Sequence, residues 1–157
     1  MKTNQNLNGF NHFHWPNGDS YKGNFVNGKR HGMGVYKFSV GSSYQGEWFH
    51  NEIHGRGLFT WPDKRQYLGD YHHGIRTGNG VFTWPDGNKY EGEFLDGTMN
   101  GKGTFYWANG NKYVGEFSFG EKTGYGTLTI ADKKISKYGV FMRGNLIYLV
   151  SSSEISS

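Results

Sequence analysis

The 157-residue chain carries 17 basic and 13 acidic residues for a formal charge of +4, and it holds 26 glycines alongside 5 Trp, 11 Tyr and 12 Phe. With 34% hydrophobic residues it is poorly suited to an aliphatic core. It has no run approaching the roughly 18 apolar residues of a membrane helix, and no cysteine for a disulfide, thiolate metal site or thiol nucleophile. Its basic residues are dispersed, the largest runs being Lys29-Arg30-His31 and Lys133-Lys134, which excludes the dense stripe that nucleic-acid binding requires.

Taken in order, residues 1–8 are polar, lack the apolar centre of a secretory signal, and are expected to be disordered. Residues 9–20 read as the second half of a repeat, with Phe13 and Trp15 standing where Phe59 and Trp61 stand later, and Asn11 in place of a glycine. Full units then begin at Tyr21, Tyr44, Tyr67, Tyr90 and Tyr113, spaced by 23 residues. Gly23, Gly46, Gly69, Gly92 and Gly115 keep the same period, as do the aromatics Phe25, Trp48, Tyr71, Phe94 and Phe117. So does the second glycine of each later pair, at Gly34, Gly57, Gly80, Gly103 and Gly126. Self-similarity at a fixed period in this range is the mark of a repeat architecture.

Within a unit, Tyr-x-Gly-x-aromatic alternates with the period of a strand, placing Tyr90, Gly92 and Phe94 on one face and Glu91 and Glu93 on the other. Asn27-Gly28 and Asp96-Gly97, with His73-Gly74 and Phe119-Gly120 at matching places, are hairpin turn signals. The second strand of the unit runs Gly101, Gly103, Phe105, Trp107 and closes at turns such as Pro85-Asp86-Gly87. Each repeat is thus one hairpin, and the fold class is all-β: an elongated, twisted, antiparallel meander of repeated hairpins. Glycine inside strands signals close approach of another group, and here that group is expected to be an aromatic ring. A degenerate half repeat starts at 137, its Gly139 and Phe141 offset by one residue. Residues 145–157 read as a capping strand followed by a serine-rich tail, disordered from Ser151.

The pattern Tyr-x-Gly-x-(Phe/Trp)-x-x-Gly-x-x-x-Gly-x-Gly-x-aromatic resembles the MORN repeat (membrane occupation and recognition nexus), over residues 9–144. Asn51-Glu52 without the mid-repeat glycine, and Lys64 at the turn glycine, depart from it locally. The resemblance implies a single-layer sheet and non-catalytic roles in scaffolding, in cytoskeletal or ciliary assembly, or in association with membranes or phosphoinositides.

The residue pattern offers no catalytic constellation. The carboxylates Glu47, Asp70, Glu91, Glu93 and Glu116 recur once per repeat, whereas an acid–base pair is a single asymmetric site, so a solvated charged face is expected. Asn100-Gly-Lys-Gly-Thr leads into a strand and not a helix N-terminus, so it cannot cradle phosphate in the usual way. The equivalent pairs His31/His54 and His50/His73 are separated by a whole hairpin, about 9–10 Å, so no metal site and no cofactor is expected. The remaining surface is the ring face. Trp48, Tyr71, Phe94 and Phe117, with Trp61, Trp84 and Trp107, are expected to line a groove that binds a helix or an extended segment of a larger protein. Peripheral binding to anionic lipid and homo-oligomerisation through open strand edges are the competing expectations. A cytoplasmic protein associated with cytoskeleton, cilium or membrane follows from these readings.

Overall fold

The computed structural model describes residues 6–155, and the Met1–Gln5 and Ser156–Ser157 parts of the segments expected to be disordered lie outside them. The strands are β1 (Gly9–His14), β2 (Ser20–Val26), β3 (Lys29–Lys37), β4 (Ser43–Phe49), β5 (Glu52–Thr60), β6 (Gln66–His72) and β7 (Ile75–Thr83). They continue as β8 (Lys89–Leu95), β9 (Thr98–Tyr106), β10 (Lys112–Ser118), β11 (Glu121–Ile130), β12 (Ile135–Met142) and β13 (Asn145–Glu154). All 13 lie in one open antiparallel sheet in chain order. Among the described residues no helix is long and apolar enough to cross a membrane. By compactness the chain parts within β7 into Met1–Arg76 and Thr77–Ser157.

The turns follow from their sequences. Asn27-Gly28, His73-Gly74, Asp96-Gly97 and Phe119-Gly120 all have positive φ at both residues, the signature of a type I′ hairpin turn. His50-Asn51 keeps the same turn without glycine, at φ 48 and 75, and Lys64 adopts φ 72 where other repeats place a turn glycine. Adjacent turns are also tied to one another. The amides of Gly28, Gly74, Gly120 and Gly144 donate to the carbonyls of Leu7, Ile53, Met99 and Lys122 in the preceding hairpin. On the opposite margin, the side-chain oxygens of Asp19, Asn88 and Asn111 accept from the amides of Ser39, Ala108 and Ala131.

Tyr21, Tyr44, Tyr67, Tyr90 and Tyr113 are the most deeply buried side chains, each with 0% exposure. Four of these rings lie over the glycines of their own hairpins: a Cβ added at Gly34, Gly57, Gly103 or Gly126 would strike the ring of Tyr21, Tyr44, Tyr90 or Tyr113 respectively. All five set an edge against the aromatic four residues on, with centroids 5.0–5.3 Å apart in the Tyr21–Phe25, Tyr44–Trp48, Tyr67–Tyr71, Tyr90–Phe94 and Tyr113–Phe117 pairs. The sheet therefore supplies its own second layer from its side chains.

A β-bulge recurs on the second strand of the hairpin, where three residues (31–33, 54–56 and 100–102) face the one that follows the repeat glycine. Asn24, Glu47 and Glu93 have no partner across the hairpin. Their carbonyls accept hydrogen bonds from the hydroxyls of Tyr21, Tyr44 and Tyr90 at 3.1, 3.1 and 2.9 Å. A residue facing a bulge loses its ladder bond, and the tyrosine hydroxyl supplies a partner for its carbonyl.

The serine-rich segment departs from expectation. Ser151, Ser152, Ser153 and Glu154 extend β13 and pair with Tyr138, Lys137, Ser136 and Ile135 of β12. Here the unpaired edge of β12 offers the backbone a ladder that low hydrophobicity alone does not preclude. Gly139 opposes Gly126, and Phe141 is 2% exposed against Tyr113 at 4.8 Å, so the one-residue offset is absorbed in the turn between β11 and β12. Lys137 replaces the repeat tyrosine, and Leu146 is the side chain a Cβ at Gly139 would meet instead.

Candidate functional site

The expected ring face divides into two stripes of different character. Trp48, Tyr71, Phe94 and Phe117 are 5%, 7%, 4% and 4% exposed, enclosed by the repeat tyrosines of their own and neighbouring hairpins. Their faces and edges are spent on packing. Trp61, Trp84 and Trp107 sit at the strand ends and are only half-buried. In the first unit Trp61 packs on Phe59 at 4.6 Å, and in the second Trp84 packs on Phe82 at 4.4 Å and Trp107 on Phe105 at 4.8 Å. Trp84 and Phe105 lie 5.5 Å apart, so the second unit carries a continuous stripe of partly open rings.

Cations attend these rings. Arg65 and Arg76 lie over Trp61 at 5.5 and 5.6 Å, and the Lys122 ammonium lies 5.0 Å from the Trp107 ring centre. Burial lowers the pKa of Lys122 from its ordinary value. Arg30 is the most enclosed of them. Its guanidinium stands 4.6 Å from Trp48 and 4.7 Å from Tyr36, while one Nη donates to the Asn51 carbonyl at 3.0 Å. The sequence showed these cations without revealing that they share a face with the tryptophans.

The structural glycines do two jobs. Gly23, Gly46, Gly69, Gly92 and Gly115, with Gly34, Gly57, Gly80, Gly103 and Gly126, form rows that face each other across the strands, as in the Gly34–Gly46, Gly57–Gly69, Gly80–Gly92 and Gly103–Gly115 pairs. On the face opposite the rings these rows leave depressions. One of about 420 Å³ is bordered by Met33, Gln45, Glu47, Arg56, Leu58 and Leu68. Another, of about 400 Å³, lies among Glu91, Lys102, Val114, Glu116 and Tyr125. These hollows had no sequence signal, because their apolar borders come from positions that vary between repeats.

The recurrent carboxylates are not merely solvated. Glu47 and Glu93 accept hydrogen bonds from the bulge amides of Arg56 and Lys102 at 3.1 and 2.5 Å. They lie over Gly55 and Gly101, whose φ of 64 and 65 only glycine adopts freely.

The histidines group by cross-strand register and not by repeat position. The Gly55–Tyr71 pairing sets His54 beside His72, and His73 follows in the turn. One nitrogen from each of these three lies within 4.8 Å of the others. Sequence reasoning compared equivalent positions and so overlooked this trio.

The family model of the MORN repeat matches residues 21–43, 44–64, 67–89, 90–112 and 113–134. No curated protein matches the sequence. Among solved structures the chain is similar to the SAS-4 (dCPAP) TCP domain of Drosophila melanogaster, solved in complex with a proline-rich motif of Ana2 (dSTIL). The two share 12% identity over 83% of this chain and 70% of that one, with a TM-score of 0.52, a likeness of fold.

Proposed function

Since the chain belongs to the MORN-repeat family, we propose that it is a non-enzymatic scaffold that docks an extended, proline-containing segment of a larger protein on its half-buried tryptophans. The observation that carries this reading is the Trp84–Phe105–Trp107 stripe, open on one side and bordered by the Lys122 ammonium. Aromatic stripes with spaced rings suit a preformed polyproline II segment, whose prolines slot between flat rings at little entropic cost. The similar TCP domain was solved with a proline-rich motif, which supports the same class of ligand here. The family likeness points to a cytoskeletal, motor or ciliary partner. Trp48, Tyr71, Phe94 and Phe117, buried against the repeat tyrosines, act in this reading as core and not as ligand contacts.

Selection from a peptide display library, followed by fluorescence titration with the selected peptide, tests it. Proline-rich sequences should emerge, bind with little dependence on salt, and lose affinity in Trp84→Ala and Trp107→Ala. Selection of amphipathic helical peptides, or affinity untouched by both substitutions, would overturn the proposal.

A second reading has its own observation. β13 is an edge strand among the described residues, and its Ile147, Tyr148, Leu149 and Val150 are 56%, 66%, 49% and 50% exposed. An apolar, unpaired edge of this kind favours pairing with a second copy. Sedimentation velocity across a concentration series should then show a dimer that Leu149→Lys abolishes, and a monomer at all concentrations would refute it.

A further inference from the structure

We propose that His54, His72 and His73 form a binding site for a divalent transition-metal ion of the zinc class, independent of the docking stripe. The three imidazoles converge from separate places: His54 on β5, His72 on the neighbouring β6, and His73 in the turn after it at φ 46. Ring centroids are 5.1 Å apart for His54–His72, 5.4 Å for His54–His73 and 4.4 Å for His72–His73. One nitrogen from each lies within 4.8 Å of the other two. Tetrahedral zinc with Zn–N bonds near 2.0–2.1 Å needs nitrogens about 3.4 Å apart. The widest pair must therefore close by about 1.4 Å at most, which side-chain rotation supplies because His72 and His73 are exposed and His54 is only half-buried.

A carboxylate already orients one ligand. Glu52 Oε2 lies 2.5 Å from Nδ1 of His73, which leaves Nε2 as the nitrogen His73 offers to a metal. A histidine held through its second nitrogen by a carboxylate is the usual support for a zinc ligand, fixing tautomer and ring direction. The His73 amide lies 3.5 Å from Nδ1 of His54, a contact too long to compete strongly with a metal bond.

The fold does not require this trio. One repeat earlier the corresponding residues are His31, Phe49 and His50, and one repeat later they are Thr77, Leu95 and Asp96, so every position tolerates other chemistry. All three imidazoles coincide at one hairpin alone. A set of neutral nitrogen donors selects zinc, copper or nickel over calcium and magnesium, which demand oxygen. Three protein ligands leave a fourth position for water or for a donor from a bound partner.

Zinc titration of the full chain without a polyhistidine tag, by calorimetry and by competition with a chromophoric chelator, provides the test. One zinc ion per chain should bind, and bound zinc should raise the melting temperature. His72→Ala should abolish uptake or weaken it by at least about 10-fold, and Glu52→Gln should weaken it by about 10–100-fold. His54→Gln provides a second ligand variant, and metal-free circular dichroism verifies that each is folded. The double variant His31→Gln/His50→Gln should leave binding intact. Absence of zinc uptake by the wild-type chain, uptake preserved in folded His72→Ala and His54→Gln, or equal loss in the His31/His50 control would each overturn the site.

Discussion

The repeat tyrosine is held from three directions, by glycine below, an aromatic edge beside it and a bulged carbonyl at its hydroxyl. Burial raises the pKa of Tyr21, Tyr67 and Tyr113 from 10.0 to about 12, and raises those of Tyr44, Tyr71 and Tyr90 further. The protonated phenol is the form the fold favours, so stability from these groups is complete below pH 10 and is lost as pH climbs through about 12. Thermal melts across that range should show a steep fall in melting temperature, with phenolate absorbance appearing together with unfolding. The glycines are the other half of the arrangement. A Cβ at Gly92 would come within 2.5 Å of the Gly103 Cα and 2.6 Å of both the Lys102 carbonyl and the Tyr90 hydroxyl. Gly92→Ala should destabilise by about 1–3 kcal/mol, and Gly92→Val by more; a chemical-denaturation midpoint equal to wild type would contradict this. The sequence showed that rings meet glycines but not which rings. Tyr90 and Phe94 share both period and face, and it is the Glu93 carbonyl, freed by the bulge opposite it, that takes the Tyr90 hydroxyl while Phe94 packs on edge.

At the scale of the hairpin, stability depends on polar stitching between successive turns as well as on rings. The Asn111 amide donates to Asn109 Oδ1 at 3.0 Å, and the Asn111 side-chain oxygen accepts from the Ala131 amide at 2.9 Å. Asn88 does the same for Ala108, also at 2.9 Å. Asn111→Ala should therefore cost about 0.5–1.5 kcal/mol, measurable as a lowered denaturant midpoint with unchanged slope. Turn types were legible because Asn-Gly and Asp-Gly announce positive φ. His50-Asn51 and Lys64 were less so, since tertiary ties such as the Asn51 amide to the Arg30 carbonyl at 3.0 Å hold the backbone where glycine is absent. The histidine trio was hidden for a related reason. Repeat alignment matches residues 23 apart, whereas antiparallel neighbours such as His54 and His72 are set by the hairpin register.

For the molecule as a whole, every strand bonds only to its neighbours in the chain. Order is local, and stability should be graded along the strand sequence. Native-state hydrogen exchange should find amides of β1 and of β13, each paired on one side, exchanging faster than those of β4 and β10, which are paired on both. Uniform protection across all strands would contradict that expectation. The period and the hairpin succession were legible in the sequence, because each is written in local spacing. The ordered serines of β13 were not, since what holds them is the free edge of β12 and not any property of serine.

The tyrosine that lies over its own hairpin's glycines makes each repeat self-lidding, and this has a consequence for how such a chain changes over generations. Asn88-Lys89 precede Tyr90 just as Asn111-Lys112 precede Tyr113. Excising residues 90–112 would leave a junction whose flanking residues are the same as those removed, with no opposing layer to be recut. Duplication or loss of one whole unit is then silent to the lattice of rings and glycines, whereas an indel of a single residue within a strand reverses which face each later side chain of that strand meets. Chain length in such a protein is inherited in quanta.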